Sequence, residues 1–275
     1  MKERSLKRLE LFEFADVDWL PHPIRSGVTH LLKVLHKLFG TTDVLTNILH
    51  TTKQKIEFSQ ITDLGSGSGG PMLEVVEEIN KKSTGASTIR LLLTDKYPNK
   101  ATVQHINDSN IANVSYASES VDASKLEKAP SGLKTMIASF HHMRPEIAGQ
   151  ILRSAEKNRE PILIYEIAEN NVPILVWWLM LPISLSILIV MALFMTPFVK
   201  PLTLSQLLFT YLIPIIPLVY AWDGQASVMR TYTLHDIQKL LGDRTRDHYT
   251  WEIAKAKKRN GKNAGYYVLG YPVGE

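Results

Sequence analysis

The 275-residue chain contains no cysteine, which removes disulfides, thiolate metal sites and a cysteine nucleophile together and leaves the redox compartment undefined. Charge of one sign is also scarce. Lys and Arg exceed Asp and Glu by 31 to 27, a net charge of +4. No basic stripe interleaved with aromatics occurs, so nothing argues for a nucleic-acid partner. The stretch Met1 to Glu10 is charged and lacks the apolar core of a signal peptide, so the N-terminal half is expected to stay in the cytosol. Hydrophobic residues are not lacking: they make up 45% of the chain, ample for one full α/β domain with additions.

The residues that organise the rest are Asp63-Leu64-Gly65-Ser66-Gly67-Ser68-Gly69-Gly70. They follow a strand-like run, Gln60 to Leu64, and open onto a helix-like run, Met72 to Ile79. Glycines at such a turn let backbone approach a ligand closely and expose helix N-terminal N–H groups. Gly65, Gly67 and Gly70 also satisfy the dinucleotide pattern G-x-G-x-x-G, so spacing alone does not choose a cofactor. Asp63 discriminates. An acid two places before the first glycine would repel a pyrophosphate but suits a ligand carrying an amino group and a sulfonium.

The segment Thr62 to Gly70 resembles motif I of the class I S-adenosylmethionine (SAM) dependent methyltransferases, and the resemblance covers Gln60 to Ile167 and resumes from Asp223 to the end. It implies an α/β fold with a Rossmann-like sheet closed by a terminal antiparallel hairpin, SAM as cofactor and methyl transfer as the activity. Asp63, Gly65, Ser66, Gly67 and Gly69 are then cofactor-binding. A nicotinamide oxidoreductase is the competing enzyme reading, but no Tyr-x-x-x-Lys pair stands in a suitable position.

Ile89 to Thr94 is a continuous apolar run ending at Asp95, the pattern of a buried parallel strand. An acid there fits a ribose, and the resemblance implies that Asp95 binds both ribose hydroxyls; a solvated strand-end acid is the plainer alternative. After a third strand, Asn113 to Ala117, the resemblance assigns Asp122 to the adenine amino group. Leu133 to Phe140 is expected to be the fourth strand, ending at His141-His142. Ligands of open α/β sheets bind beyond the carboxyl ends of strands. His141 and His142 are therefore candidates for a general base, with Glu166 behind them at the end of the fifth strand, Ile162 to Ile167. Each histidine is equally readable as a packing residue. No metal is expected.

A long stretch from Val172 to Trp222 is uncharged except at Lys200. As helices, the 23 residues between Pro173 and Pro197 and the 21 from Leu202 to Trp222 would run about 34 and 31 Å, each enough for a bilayer core. Both flanks belong to one sheet domain, so both ends of this inserted hydrophobic hairpin must lie on one side. Arg153, Lys157, Arg159 and Arg230 outweigh Lys200, as expected for a cytoplasmic catalytic domain. The expectation is a transmembrane hairpin turning at Lys200-Pro201; a re-entrant or monotopic hairpin and a buried lid remain open.

Upstream, Val28, Leu31, Leu32, Leu35, Leu38 and Phe39 recur at helical spacing opposite His30, Lys33, His36 and Lys37. This amphipathic helix packs either on the catalytic core or on a membrane surface. Phe12 to Pro21 reads as a lid or a surface turn. Downstream, Leu234 to Leu241 is a helix, and Tyr249 to Ala256 and Gly265 to Tyr271 are strands joined around Asn260-Gly261. The run Trp222-Asp223-Gly224 through Ser227, Arg230 and Tyr232 resembles a pattern in bacterial members of the family to which no substrate is attached. The expected domains are 1–57, an N-terminal helical lid; 58–171, the first part of the SAM-binding domain; 172–222, the inserted hairpin; and 223–275, its completion. The expected function is methyl transfer to a small lipophilic or membrane-associated molecule, with membrane lipids as partners. A catalytically inactive SAM-binding membrane scaffold is the alternative.

Overall fold

The computed structural model describes residues 6–81, 88–242 and 248–274; residues 1–5 of the charged N-terminal stretch lie outside them. The chain divides into two units. One joins Gly40–Ala168 to Leu234–Glu275, the other Met1–Phe39 to Glu169–Thr233.

The first unit is built on a seven-stranded sheet of order β3-β2-β1-β4-β5-β7-β6. The strands are β1 Gln60–Leu64, β2 Arg90–Thr94, β3 Val114–Tyr116, β4 Leu133–Ile137, β5 Ile162–Glu166, β6 Tyr249–Lys257 and β7 Asn263–Pro272. β1 to β5 are parallel, as their short apolar runs separated by helices require. β7 enters antiparallel between β5 and β6. Gly265 makes this possible: with φ at +87°, a Cβ there would lie 1.9 Å from the Glu166 carbonyl oxygen. The helices of this unit are α2 Thr41–Lys53, α3 Met72–Lys81, α4 Lys100–Asp108, α5 Pro145–Lys157 and α9 Leu234–Leu241. Val44, Leu45, Ile48 and Leu49 of α2 join Ile61, Val75, Leu91 and Leu163 in one core.

The second unit is helical. α1 spans His22–Leu38, α6 Ile174–Met195, α7 Leu204–Leu207 and α8 Ile215–Arg230. The apolar face of α1 (Ile24, Val28, Leu31) packs against Ala192, Met195, Val199, Ile216 and Val219. The apolar face of this helix therefore rests on the inserted helices.

Three further expectations are corrected. The N-terminal segment does not run to residue 57: the chain changes unit at Gly40, whose φ is +64°, and α2 belongs with the sheet. The insertion does not end at Trp222. α8 runs through that point to Arg230 because its charges are satisfied inside the helical unit: Asp223 accepts the N–H groups of Phe14 (2.7 Å) and Ala15 (3.0 Å), and Arg230 pairs with Glu13 (3.0 Å) and Asp16 (2.7 Å). The same contacts turn the Phe12–Pro21 stretch into a pinned segment. Finally, the second long helix expected over Leu202 to Trp222 is broken. Leu204–Leu212, whose last part is a π-helical turn, meets Ile215–Arg230 at 80°. Pro214 has no N–H to continue the ladder, and it keeps Ile213 out of the helical region, at φ −125° and ψ 85°.

Candidate active site

The carboxyl ends of β1 and β4 lie side by side where the strand order reverses, the place at which open α/β sheets bind ligands. The loop after β1 carries Gly65, Gly67, Gly69 and Gly70, all with positive φ. At Gly67 (φ +52°) an added Cβ would meet no protein atom within 4 Å. The backbone there faces open space while its other side is held: the Gly67 N–H donates to Asp95 Oδ2 (3.1 Å), and the Tyr116 hydroxyl donates to the Gly67 carbonyl (2.9 Å). Burial, with the charges of Asp95 and Asp63 nearby, pushes the Tyr116 hydroxyl pKa up, so it remains a donor.

Asp63 lies beneath this loop. Only 4% exposed, it accepts hydroxyl hydrogens from Ser66 (2.6 Å) and Thr135 (2.5 Å). Burial pushes its carboxyl up to about 6 against the pull of those two hydrogen bonds, with Asp95 adding to the rise. Asp63 therefore braces the loop from inside the sheet, a role its place before the glycines does not suggest. Ser66 is likewise interior, its backbone N–H donating to the Thr94 carbonyl (2.9 Å) and its hydroxyl to Asp63. The Thr94 hydroxyl completes the bracing on the Asp63 carbonyl (2.8 Å).

Asp95, half-buried at the end of β2, also accepts the Tyr97 N–H on Oδ1 (2.9 Å). Each of its oxygens thus has one donor and room for another. Asp122 sits after β3, its Oδ1 accepting the N–H and hydroxyl of Ser124 (3.0 and 2.7 Å) and its Oδ2 lying 3.1 Å from the Lys96 ammonium. Burial opposes its charge, but Ser124 and Lys96 prevail and hold its carboxyl at about 2.

β4 ends at Ile137 and does not reach Phe140 as expected. Ala138 takes φ of +49°, a conformation that costs an L-residue energy and recurs at functional sites, and its N–H donates to the Tyr165 carbonyl (2.7 Å). The chain then turns through Ser139 into a 3-10 turn, Phe140–His142. Glu166 reaches this turn from the end of β5. Its Oε1 accepts the His141 backbone N–H (2.9 Å), and its Oε2 lies 2.9 Å from His141 Nδ1. The His141 and His142 rings stack with centroids 4.3 Å apart. The strand ends thus bring His141, His142 and Glu166 into one cluster, and the glycine loop and Asp95 into another.

Four residues of this site carry no signal in the sequence. Thr94 and Thr135 read as ordinary strand threonines, and Tyr116 as a core aromatic. Ser139 is the most informative. Its hydroxyl is buried without a hydrogen-bond partner, and it lies 3.7 Å from where a Gly65 Cβ would stand. A buried hydroxyl normally finds a partner, so an unsatisfied one facing a glycine loop fits a ligand with polar groups.

No protein-family model matches this chain, and no curated protein matches it in sequence. Solved structures do match in fold. The plantazolicin methyltransferase BpumL in complex with SAH aligns over 94% of this chain and 93% of its own at 12% identity, with a TM-score of 0.55. The same enzyme with a monoazolic desmethylPZN analog and SAH aligns over 92% and 89% at 12% identity, with a TM-score of 0.52. At such low identity the likeness bears on fold, and it agrees with the strand order: the chain has the class I methyltransferase Rossmann-like fold, with its last two strands forming the antiparallel hairpin.

Proposed function

We propose that this chain is a SAM-dependent methyltransferase acting on a small lipophilic molecule at a membrane. The observation that carries the reading is the glycine loop at the strand-order reversal, clamped at Gly67 by Asp95 and Tyr116 and faced by the unpartnered Ser139 hydroxyl. The fold likeness to BpumL, solved with SAH, supports the cofactor. The antiparallel β7 supports it further, since dinucleotide-binding sheets run 3-2-1-4-5-6.

SAM, when bound, supplies an activated methyl group, so the protein's main task is alignment. The remaining lone pairs of Asp95 are matched to two ribose hydroxyls. Asp122 offers its Oδ2, and the Ser139 hydroxyl offers a polar contact beside Gly65. Glu166 accepts the Nδ1–H of His141 and so assigns proton exchange to Nε2. An acceptor that must lose a proton would give it there; one that is already nucleophilic would need only positioning. The apolar exterior of the helical unit supports a lipophilic acceptor.

Calorimetry with SAM, SAH and NAD tests the cofactor: heat with SAM and SAH is expected, and heat with NAD alone overturns the reading. Incubation of membranes with methyl-labelled SAM then separates an enzyme from an inactive scaffold, which would bind SAM without labelling any product.

A further inference from the structure

The end of the inserted segment is built inside out. Thr196, Gln206 and Thr210 are 0%, 1% and 0% exposed. The Thr196 hydroxyl donates to the Ala192 carbonyl (2.9 Å) and is 3.5 Å from that of Thr210, which accepts from the Gln206 amide (3.4 Å). The Gln206 Oε1 atom is itself buried without a hydrogen-bond partner. Around this polar interior the surface is apolar: Phe198, Leu204 and Leu212 are 69%, 85% and 77% exposed. In water the two sets would exchange places. A hydrocarbon surrounding favours this arrangement, because polar side chains there turn away from lipid toward one another.

The apolar exterior continues along the neighbouring helix. Ile174–Phe198 is a continuous helical stretch of mean hydropathy 2.5, with 6% of its most apolar window buried. Leu175, Leu179, Ile183 and Ile187 are all exposed. Between α6, α8 and the pinned N-terminal segment, a cleft of about 320 Å³ is lined by apolar side chains alone, among them Phe12, Leu185, Ile189 and Trp222. A patch of this kind marks an interaction surface, a membrane among the candidates.

Three observations oppose a full crossing. Leu204–Leu212 covers only about 13 Å at 1.5 Å per residue, and the chain then bends by 80°. A spanning hairpin would put its turn in water on the far side, yet the turn carries the most exposed apolar residues of the unit. Lastly, α1 packs against that same end, a Gly27 Cβ falling 2.3 Å from Ile216, and α1 exposes Lys33 and Lys37. Crossing would carry those ammonium groups into the hydrocarbon, where each costs about 2.5 to 3.5 kcal/mol on insertion scales.

We therefore infer that the helical unit is a monotopic anchor: it enters one leaflet, buries Phe198, Leu204 and Leu212 among acyl chains, and keeps Lys33 and Lys37 at the headgroups of the leaflet it entered. Lys200 reaches the same headgroups along its apolar stem. This rests on the membrane part of the proposed function and not on its cofactor.

The cysteine-free chain makes the test direct. Single cysteines are placed at Lys33, Leu204, Leu212 and, as a reference in the sheet unit, Lys262, and the full chain is reconstituted into phosphatidylcholine/phosphatidylglycerol vesicles. A membrane-impermeant maleimide is supplied on either side. Leu204→Cys and Leu212→Cys are expected to label at least about ten-fold more slowly than Lys262→Cys from both sides, the factor that ~1.4 kcal/mol of burial gives. Detergent should abolish the difference, and Lys33→Cys should react from the same side as Lys262→Cys. Labelling of Leu204→Cys from the opposite side means a spanning hairpin and overturns the proposal. Labelling of both tip cysteines at the Lys262→Cys rate means a water-exposed helical unit and overturns it together with the membrane reading. SAH calorimetry on the same samples reports the cofactor reading independently of all three results.

Discussion

The two units use hydrophobic residues in opposite ways. In the sheet unit, Ile162, Leu163 and Ile164 of β5 are fully buried, and the acids Asp63, Asp95 and Glu166 gather at the carboxyl ends of the strands. In the helical unit, α6 turns its apolar residues outward, and the polar side chains near the turn, Thr196, Gln206 and Thr210, turn inward. The hydrophobic effect is the same in both, so on the proposed reading the difference lies in what each surface contacts. A sheet domain excludes water by closing on itself, whereas a helix that is apolar all round leaves the exclusion to its surroundings.

The contrast breaks hardest where one unit depends on close approach of backbone. Gly265→Ala would drive a Cβ into the Glu166 carbonyl at 1.9 Å in a left-handed conformation. It is expected to lower the stability of the sheet by about 3 kcal/mol or more, measured by denaturant unfolding. A variant of wild-type stability would mean that β7 is not seated as described.

Next in size is a charge on the outward face of α6. Ile187 is 60% exposed, so on a water-facing helix Ile187→Asp would change stability by less than about 0.5 kcal/mol. Facing hydrocarbon, it should weaken membrane partition by about 2.5 to 3.5 kcal/mol. Vesicle co-sedimentation measures this, and unchanged partition would show that α6 does not carry the anchor.

The interior acid gives a pH signature to the sheet unit. Asp63 holds its proton more tightly in the folded chain, at about 6 against an ordinary 3.8. Its favourable contribution is therefore complete below about pH 4 and is lost as pH rises through about 6, a change of about 2 to 3 kcal/mol. Asp63→Asn should flatten the stability profile between those values. A slope unchanged by this substitution would assign it to another group.

Smaller effects are expected at the rim. Asp95→Ala removes the acceptor for Gly67 and Tyr97 and for the proposed ribose contacts, and should weaken SAH binding by about 1.5 to 3 kcal/mol. Asp122→Ala should cost less, because Asp122 is engaged mainly with Lys96 and Ser124. Calorimetry of the two variants ranks them, and the reverse order would exchange the two assignments.

Local signals made much of this legible. The glycine loop, the strand-end acids and the terminal hairpin each sit within one turn or one strand, where residue type and backbone conformation are directly linked. Errors arose where a long-range partner reversed the local meaning of a residue. Asp223 reads as the point where the SAM-binding domain resumes, yet it accepts the N–H groups of Phe14 and Ala15 inside the helical unit. Ser139 gave no sign of being a buried, unpartnered hydroxyl. Leu133 to Phe140 read as one strand because nothing local announces the left-handed Ala138.

By itself the sequence determined which runs form sheet strands, though not where β4 ends, the placement of the glycine loop at a strand-to-helix turn, and the presence of an apolar segment too long and too uncharged for an ordinary loop. Composition and spacing decide these because burial period and glycine geometry act over a few residues. Only the tertiary structure decided that Asp63 lies under the loop, that Glu166 holds His141, and that Thr196, Gln206 and Thr210 face one another while leucines face out. Those arrangements depend on which residues distant in the chain share an environment, and side-chain burial sets that environment only once the elements have packed.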